Sequence, residues 1–264
     1  LKEKGYIPNN GIVKSGNISF KAGRYYVSVL VKDKKDYTFD GFSEGIGIDL
    51  GIKDLAIVSN IDKPFKNINK SKEVKRLNKK LKRLQRKVSR KYDNLKVEKT
   101  FQKGEKLTKT QNIIKLENEI RLVHKRIADI RLNHIHQTTN DIVKTKPSRV
   151  VVEDLNVKGM MKNKHLSKAI GEQSFNKFLT ILKYKCKWRD IEFVKADRFF
   201  PSSKMCSCCG TIKKDLKLSD RRWICPCCGS ENDRDLLAAQ NIKKFGLEKQ
   251  NLLSQENISP VVNR

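Results

Sequence analysis

The sequence is short of acid. Its 264 residues carry 29 Asp and Glu against 58 Lys and Arg, a formal net charge of +29. A charge that large repels itself in a compact chain unless a polyanion compensates it, so nucleic acid is the expected partner. The sequence has no apolar run of membrane-spanning length and no signal-peptide pattern. A membrane is therefore not expected as a partner, and a cytoplasmic location is. No convincing internal repeat is present. A disulfide framework is also missing, because the seven cysteines cluster in the manner of reduced, metal-binding residues. The chain opens on Leu1-Lys2-Glu3 without a methionine, as a fragment would.

Four of the cysteines form the strongest local pattern. Cys206 and Cys209 make one C-x2-C pair, Cys225 and Cys228 another, with fifteen residues between the pairs. That is zinc-site spacing. Each pair can sit on a tight turn with both thiolates aimed at one ion, and two such turns complete a tetrahedron. Cys208 and Cys227 lie inside the pairs and are spare, since using them would break the spacing. Cys186 stands alone in a helical pattern and reads as a small buried hydrophobe.

The first forty residues hold two strand-like runs, Asn17–Phe20 and Tyr25–Val31, joined by a glycine turn at residues 21–24. They offer too little apolar surface to stand alone and look like part of a barrel. Residues 45–59 read as a hairpin in which Ile46, Ile48 and Leu50 alternate with Gly47 and Asp49. The glycines there allow close backbone approach beside Asp49. Val74, Leu77, Leu81, Leu84 and Val88 recur at helical spacing, as do Ile113, Leu116, Ile120, Val123, Ile127 and Ile130, with a break over Tyr92–Thr110. Two such stripes predict an antiparallel helical hairpin.

The outer face of its first arm carries Lys75, Arg76, Lys79, Lys80, Lys82, Arg83, Arg86, Lys87, Arg90 and Lys91, and Glu73 is the only acid in Lys70–Lys91. A mixed-sign face would read as solvated surface. A single-sign face repels itself and points to phosphate contact. Farther on, Arg149–Val152 reads as a buried strand ending in Glu153 and Asp154. A helix is expected over 167–189, with Phe175, Phe178, Leu182 and Trp188 as its apolar stripe. A strand follows at Ile191–Ala196, another helix starts after Asp235, and the tail from Leu247 shows little pattern.

Three acids fall at positions where a mixed α/β sheet can gather them. Asp49 sits on a glycine-flanked strand, Glu153 ends a second strand, and Asp235 opens a helix. Magnesium takes hard oxygen ligands and keeps open positions for phosphate and water. Two such ions bridged by carboxylates can activate water and stabilise the leaving oxygen of a phosphodiester. Asp154 rivals Glu153, although strand alternation puts the two on opposite faces. Asp233 rivals Asp235, since either acid could serve as the helix cap.

Several segments, in order, resemble the TnpB (OrfB) family encoded by insertion-sequence transposons. They are GIDLGIKDLAIVS (Gly47–Ser59), VVEDLNVKGMMKN (Val151–Asn163), DRFFPSSKMCSCCG (Asp197–Gly210), LKLSDRRWICPCCG (Leu216–Gly229) and DRDLLAAQNI (Asp233–Ile242). The resemblance runs from about residue 17 to residue 246. It implies an α/β fold: an RNase H-like (RuvC) nuclease core at 41–69, 145–200 and 232–246. A basic helical insertion at 70–144, a zinc ribbon at 201–231 and a partial N-terminal β-barrel at 1–40 complete it, and the tail at 247–264, which shows little pattern, is expected to be mobile. It implies Asp49, Glu153 and Asp235 as catalytic, magnesium-holding acids, which selects Asp235 over Asp233. It places structural zinc on Cys206, Cys209, Cys225 and Cys228.

The activity implied is that of an RNA-guided DNA endonuclease, related to the type V CRISPR effectors. It would use an RNA from the transposon end and sit on the nucleoid of a prokaryote when bound to target DNA. Nucleic-acid contacts are expected at Lys75, Arg76, Lys79, Lys80, Arg83, Arg86 and Lys87. Two departures stand out: the family's N-terminal recognition region is represented only by its last strands, and Leu237 stands where the family has asparagine. A cleavage-deficient binding protein, a decayed relic of a transposon and a strand-joining transposase are the competing expectations.

Overall fold

The computed structural model describes residues 7, 10–32, 37–98, 108–217 and 219–256, excepting the side chains of residues 96–98 and 249–256. The chain forms two compact units, Leu1–Tyr37 with Lys70–Leu132, and Thr38–Asn69 with Asn133–Arg264. Among the described residues, no helix is long and apolar enough to cross a membrane.

In the first unit, β1 (Ile12–Lys21) and β2 (Arg24–Lys32) form an antiparallel hairpin. Its two turn residues, Ala22 and Gly23, both adopt positive φ (50° and 76°), the turn geometry that matches strand twist. The strands are longer than the sequence runs suggest, and among the described residues they pair only with each other. The rest of the 1–40 segment expected to form a barrel part (residues 1–6, 8–9 and 33–36) lies outside the described residues.

Two long helices follow, α1 (Lys72–Glu98) and α2 (Gln111–Lys144). Val74, Leu81 and Leu84 of α1 bury against Val123 and Ile127 of α2, with Leu77, Leu116, Ile120 and Ile130 packed around them. Late α1 meets early α2, where the Tyr92 hydroxyl donates to Glu117 Oε1 at 2.6 Å. Early α1 meets later α2, where Arg126 pairs with Glu73 at 2.9 Å. The arms are therefore antiparallel. Helix α1 continues past Tyr92, where the pattern is expected to break, because Leu95 still finds a buried position.

The second unit is built on a five-stranded mixed sheet. Its strands are β3 (Ile46–Leu50), β4 (Asp54–Val58), β5 (Phe65–Lys66), β6 (Arg149–Glu153) and β7 (Glu192–Ala196), in the order β5-β4-β3-β6-β7. β3, β4 and β5 meander antiparallel, while β6 and β7 run parallel to β3. Side chains alternate across the sheet. Ile46, Ile48, Val150 and Val152 enter a core shared with Ile135 and Ile142 of α2 and with α4 (Ser167–Gln173) and α5 (Phe175–Trp188). Short α3 (Val157–Met160) precedes these helices. On the opposite face, Val151 and Ala196 pack against Ile242 of α6 (Arg234–Glu256). The small hairpin of β8 (Arg222–Ile224) and β9 (Glu231–Asp233) leads into α6.

Three expectations are corrected. The helix expected over 167–189 is broken at Ser174, whose φ is 56°. Gln173 and Phe175 would face opposite sides of one continuous helix. The break lets both be buried, Gln173 donating to the carbonyl of Gly51 at 2.8 Å. Trp188 is not part of the buried stripe: it is 59% exposed and its ring lies tilted against Tyr184, with centroids 4.7 Å apart. Finally, α6 continues through Glu256, past the Leu247 expected to begin a tail. Residues 247–256 carry no apolar stripe but are rich in strong helix formers. Residues 257–264 of the expected tail lie outside the described residues.

Candidate active site and cysteine cluster

The sheet register places two of the three acids side by side. Ile46, Gly47 and Ile48 of β3 oppose Val150, Val151 and Val152 of β6, so one step on, Asp49 is the neighbour of Glu153. Both lie at the carboxyl ends of parallel strands, where open α/β sheets gather their ligands. Both share the face of Gly47 and Val151, which is the face that α6 covers. The third acid arrives at the first turn of that helix. Asp235, Asp49 and Glu153 line one cavity of about 410 Å³.

Helix α6 reaches the sheet closely enough to deliver Asp235 because Gly47 has no side chain. A Cβ there would run into the Ala239 carbonyl oxygen and the Lys243 amide, and would sit 3.0 Å from Lys243 Cα. Gly246 plays the reciprocal part on the helix, where a Cβ would overlap the Val151 side chain. Buried Arg149 also holds the helix, donating to the Gly246 carbonyl and pairing with Glu192.

The neighbours of each acid are sorted by geometry. Asp154 points away from the cavity and accepts from Lys195 at 3.1 Å and Arg198 at 2.7 Å. Those two cations hold its carboxyl below the usual range. Asp233 caps α6, accepting from the amides of Asp235 at 3.2 Å and Leu236 at 3.3 Å. That frees the Asp235 side chain, which takes two hydrogen bonds from Arg221 at 2.9 and 3.2 Å. Arg221 and Arg234 also line the cavity, and the sequence reading missed them both. Their only signal is adjacency: Arg234 lies between the two rival aspartates, and its amide donates to the Arg221 carbonyl at 2.8 Å.

Burial pushes the Asp49 carboxyl up from 3.8 to about 7, and the negative charges of Glu153 and Asp235 add to the shift against a counteracting Arg234. Burial also raises Glu153. Met160 and Phe175 supply apolar wall to the same cavity. Carboxylates crowded on a partly dry floor are the environment that a divalent cation relieves, and the donor set is hard oxygen.

The four quartet thiols lie within 4.8 Å of one another. Cys206 and Cys228 sulfurs are 3.7 Å apart, and those of Cys209 and Cys225 3.5 Å. A tetrahedron with bonds of about 2.3 Å has edges of about 3.8 Å, so the cluster fits one tetrahedral metal ion. The two pairs have the same local fold. Gly210 and Gly229 close the turns at φ 76° and 69°, and each donates its amide to the carbonyl of the first cysteine at 3.0 Å. Burial raises the Cys206 thiol, but hydrogen bonds from Ser230 and backbone amides outweigh it and bring it down to about 5. Thiolate is the ligand form. Cys208 and Cys227 are exposed beside the quartet, and Cys186 is fully buried in the sheet core.

Leu237, the residue that departs from the family pattern, faces the cysteines and not the acid cavity. It packs with Cys206, Leu216, Trp223 and Cys225 at 2% exposure. Buried Asn241, one helical turn on, donates to the carbonyls of Ser202 at 2.7 Å and Met205 at 2.6 Å. Helix α6 is thus fastened to the sheet on one side and to the cysteine unit on the other.

In the first unit, Lys75, Arg76, Lys79, Lys80, Arg83, Arg86 and Lys87 are all exposed on α1. Among the described residues, none of them has an acidic partner in the ion pairs found. The face is therefore an uncompensated cationic stripe.

Two family models match consecutive parts of the chain. One described as "Probable transposase", of the OrfB family, covers residues 42–164. The other, described as "Cas12f1-like, TNB domain", covers residues 175–242. A protein of Streptomyces pristinaespiralis named "Putative RNA-guided DNA endonuclease" is 36% identical over 227 residues, 86% of this chain and 51% of its own length. The Escherichia coli protein named "Putative RNA-guided DNA endonuclease InsQ" is 26% identical, matching 89% of this chain and 57% of its own length. The chain therefore spans about half the length of the curated relatives it matches. Among solved structures, the Cas12f1–sgRNA–target DNA complex has a chain that superposes with a TM-score of 0.56 at 18% identity, over 83% of this chain and 42% of that one. A CRISPR–Cas12f ternary complex matches with a TM-score of 0.53. These two likenesses concern the fold. Both family models, in order along the chain, and relatives that align over most of its length show that this chain belongs to the TnpB (OrfB) family.

Proposed function

We propose that the chain is the nuclease portion of an RNA-guided DNA endonuclease, with an RNase H-like (RuvC) core that hydrolyses phosphodiester bonds at Asp49, Glu153 and Asp235. One observation carries this reading: three acids far apart in sequence, from β3, β6 and the start of α6, line a single cavity. The five-strand order, with three antiparallel strands continued on one side by two that run parallel to β3, supports the RNase H-like assignment. Magnesium held by these carboxylates would supply Lewis-acid activation of water and of the scissile phosphate. The protein's own part is to place the acids. Gly47 lets α6 approach, Asp233 caps it, and Arg221 orients the Asp235 carboxylate. Arg221 and Arg234 give the cavity two cations for a phosphate that the acids alone would repel.

The zinc would be structural, because four thiolates leave no open coordination position. It would stiffen the unit against which Leu237 and Asn241 fix the first turns of α6. Replacing Cys209 with Ser is expected to release the metal, lower the folded fraction and lower cleavage together. Metal content and thermal melting check this, and unchanged melting with metal still bound contradicts it.

The cationic face of α1 is assigned to the backbone of RNA or of an RNA–DNA duplex, a contact by charge and shape in which base pairing supplies the sequence. Changing Lys79, Arg83 and Arg86 together to Gln should weaken binding and flatten the slope of log affinity against log salt by about 3. A slope equal to that of the parent chain contradicts the assignment.

The function as a whole is tested by purifying the chain with the RNA it carries, sequencing that RNA, and offering matched and mismatched DNA with magnesium. Cuts confined to matched DNA are expected. Retained RNA without cuts would indicate a binding protein, and joined strands would indicate a transposase.

A further inference from the structure

The turn that leaves the sheet beside Glu153 carries a large side chain with no packing role. Ala196, the last residue of β7, is opposite Glu153 in register. The chain then turns at once, with the Phe200 amide donating to the Asp197 carbonyl at 3.0 Å. Phe199 sits at the tip of that turn and is 93% exposed, more than any other large apolar side chain among the described residues. Its neighbour Phe200 does the opposite and packs on Phe245 of α6 with ring centroids 5.0 Å apart. Two residues on, buried Asn241 holds the Ser202 carbonyl, and Ser202 and Ser203 line the acid cavity. The turn is therefore fastened on both sides, with one aromatic ring held out in water.

An exposed Phe forgoes burial worth about 1.5–3 kcal/mol, which an occupant would restore. The surroundings select one. Phe199 is three residues from Ser202, within about 11 Å along the chain, so it stands one or two nucleotides from a phosphate in the cavity. Arg221 and Arg234 in the cavity supply positive charge at the end of that path. Aromatic rings next to a cationic track are how proteins hold single strands without reading sequence, because every base has a π-face.

We infer that Phe199 is a stacking platform for a base of single-stranded DNA one or two nucleotides from the bond cut at the acid cavity. The assignment rests on the proposed nuclease function and adds the residue that presents the strand. Phe199 touches the substrate's base and not the reacting atoms.

The test uses the full chain in magnesium-free buffer, so that no strand is cut. The probe is a single-stranded oligothymidylate carrying one photoreactive 5-iodouracil, moved along the strand in turn. Illumination should crosslink the probe to the peptide holding Phe199. Phe199→Ala should lose that crosslink and weaken binding by about 5- to 150-fold, the range for one stacked base. The salt slope should stay unchanged, because no charge is removed. Phe199→Trp should keep both crosslink and affinity. At 93% exposure the substitutions do not disturb the core, and equal melting temperatures check that. Crosslinks found only on other peptides, or an Ala variant that binds as tightly as its parent, would overturn this inference and leave the nuclease reading standing. A chain that binds no single strand at all would also overturn this inference, while cuts confined to matched DNA would show that the nuclease reading stands.

Discussion

Asp49→Asn should abolish cleavage and make the protein more stable. The loss of activity follows from removing the central carboxylate, which forfeits several kcal/mol of charge stabilisation, about a thousandfold in rate or more. The gain in stability follows from the same residue's surroundings. Asp49 is pushed from 3.8 to about 7 by burial and by Glu153 and Asp235. Between those two values the folded chain keeps a proton that the unfolded chain releases. Stability therefore falls as pH rises from about 4 to about 7 and levels off above that. The charge costs at most about 4 kcal/mol at pH 8 by this linkage, and less to the extent that water enters the cavity. Asparagine removes the penalty. In magnesium-free buffer at pH 8, the variant should melt higher by about 2–4 °C for each kcal/mol relieved, and the difference should vanish toward pH 4. A variant that melts lower at pH 8, or that still cuts, contradicts the site.

Gly47→Ala should be nearly as damaging although it adds one methyl group to a residue that touches no substrate. The added carbon meets backbone, the Ala239 carbonyl and the Lys243 amide, and not the end of a flexible side chain. Neither atom can turn aside, so α6 itself must move. Overpacking of this kind costs about 3 kcal/mol, which lowers melting by roughly 6–12 °C. A shift of about 1 Å would carry Asp235 away from Asp49 and cost about a hundredfold in cleavage. Gly45→Ala is the control, since a Cβ there meets nothing nearer than Arg149 Cβ, at 3.4 Å, and Gly45 does not line the cavity. Equal cleavage by the Gly47 variant and its parent would show that the approach of α6 to β3 does not set the site.

What could be seen in the sequence was what spacing and alternation encode. The C-x2-C pairs, the two apolar stripes of α1 and α2 and the alternation around Asp49 are local patterns, and each has its counterpart in the structure. The placing of Glu153 beside Asp49 is a matter of strand register, which no local pattern states. The break at Ser174 was hidden because residues 167–189 keep helical composition, while the demand to bury both Gln173 and Phe175 is tertiary. Trp188 followed the apolar spacing, but the helix ends there and its ring rests on Tyr184. Arg221 and Arg234 were invisible for a different reason: in a chain with 58 cations, two that face a cavity look like all the others.

The most direct measurement of the central claim compares each acid of the cavity with its immediate neighbour in one magnesium-dependent cleavage assay on matched DNA. Glu153→Gln and Asp235→Asn should cut no faster than background. Asp154→Asn, which loses only an exposed pairing with Lys195 and Arg198, should cut within about threefold of the parent, as should Asp233→Asn, whose amide oxygen can keep the helix cap. The reverse order within either pair, or four variants equally active, would mean that the cavity of Asp49, Glu153 and Asp235 is not where DNA is cut.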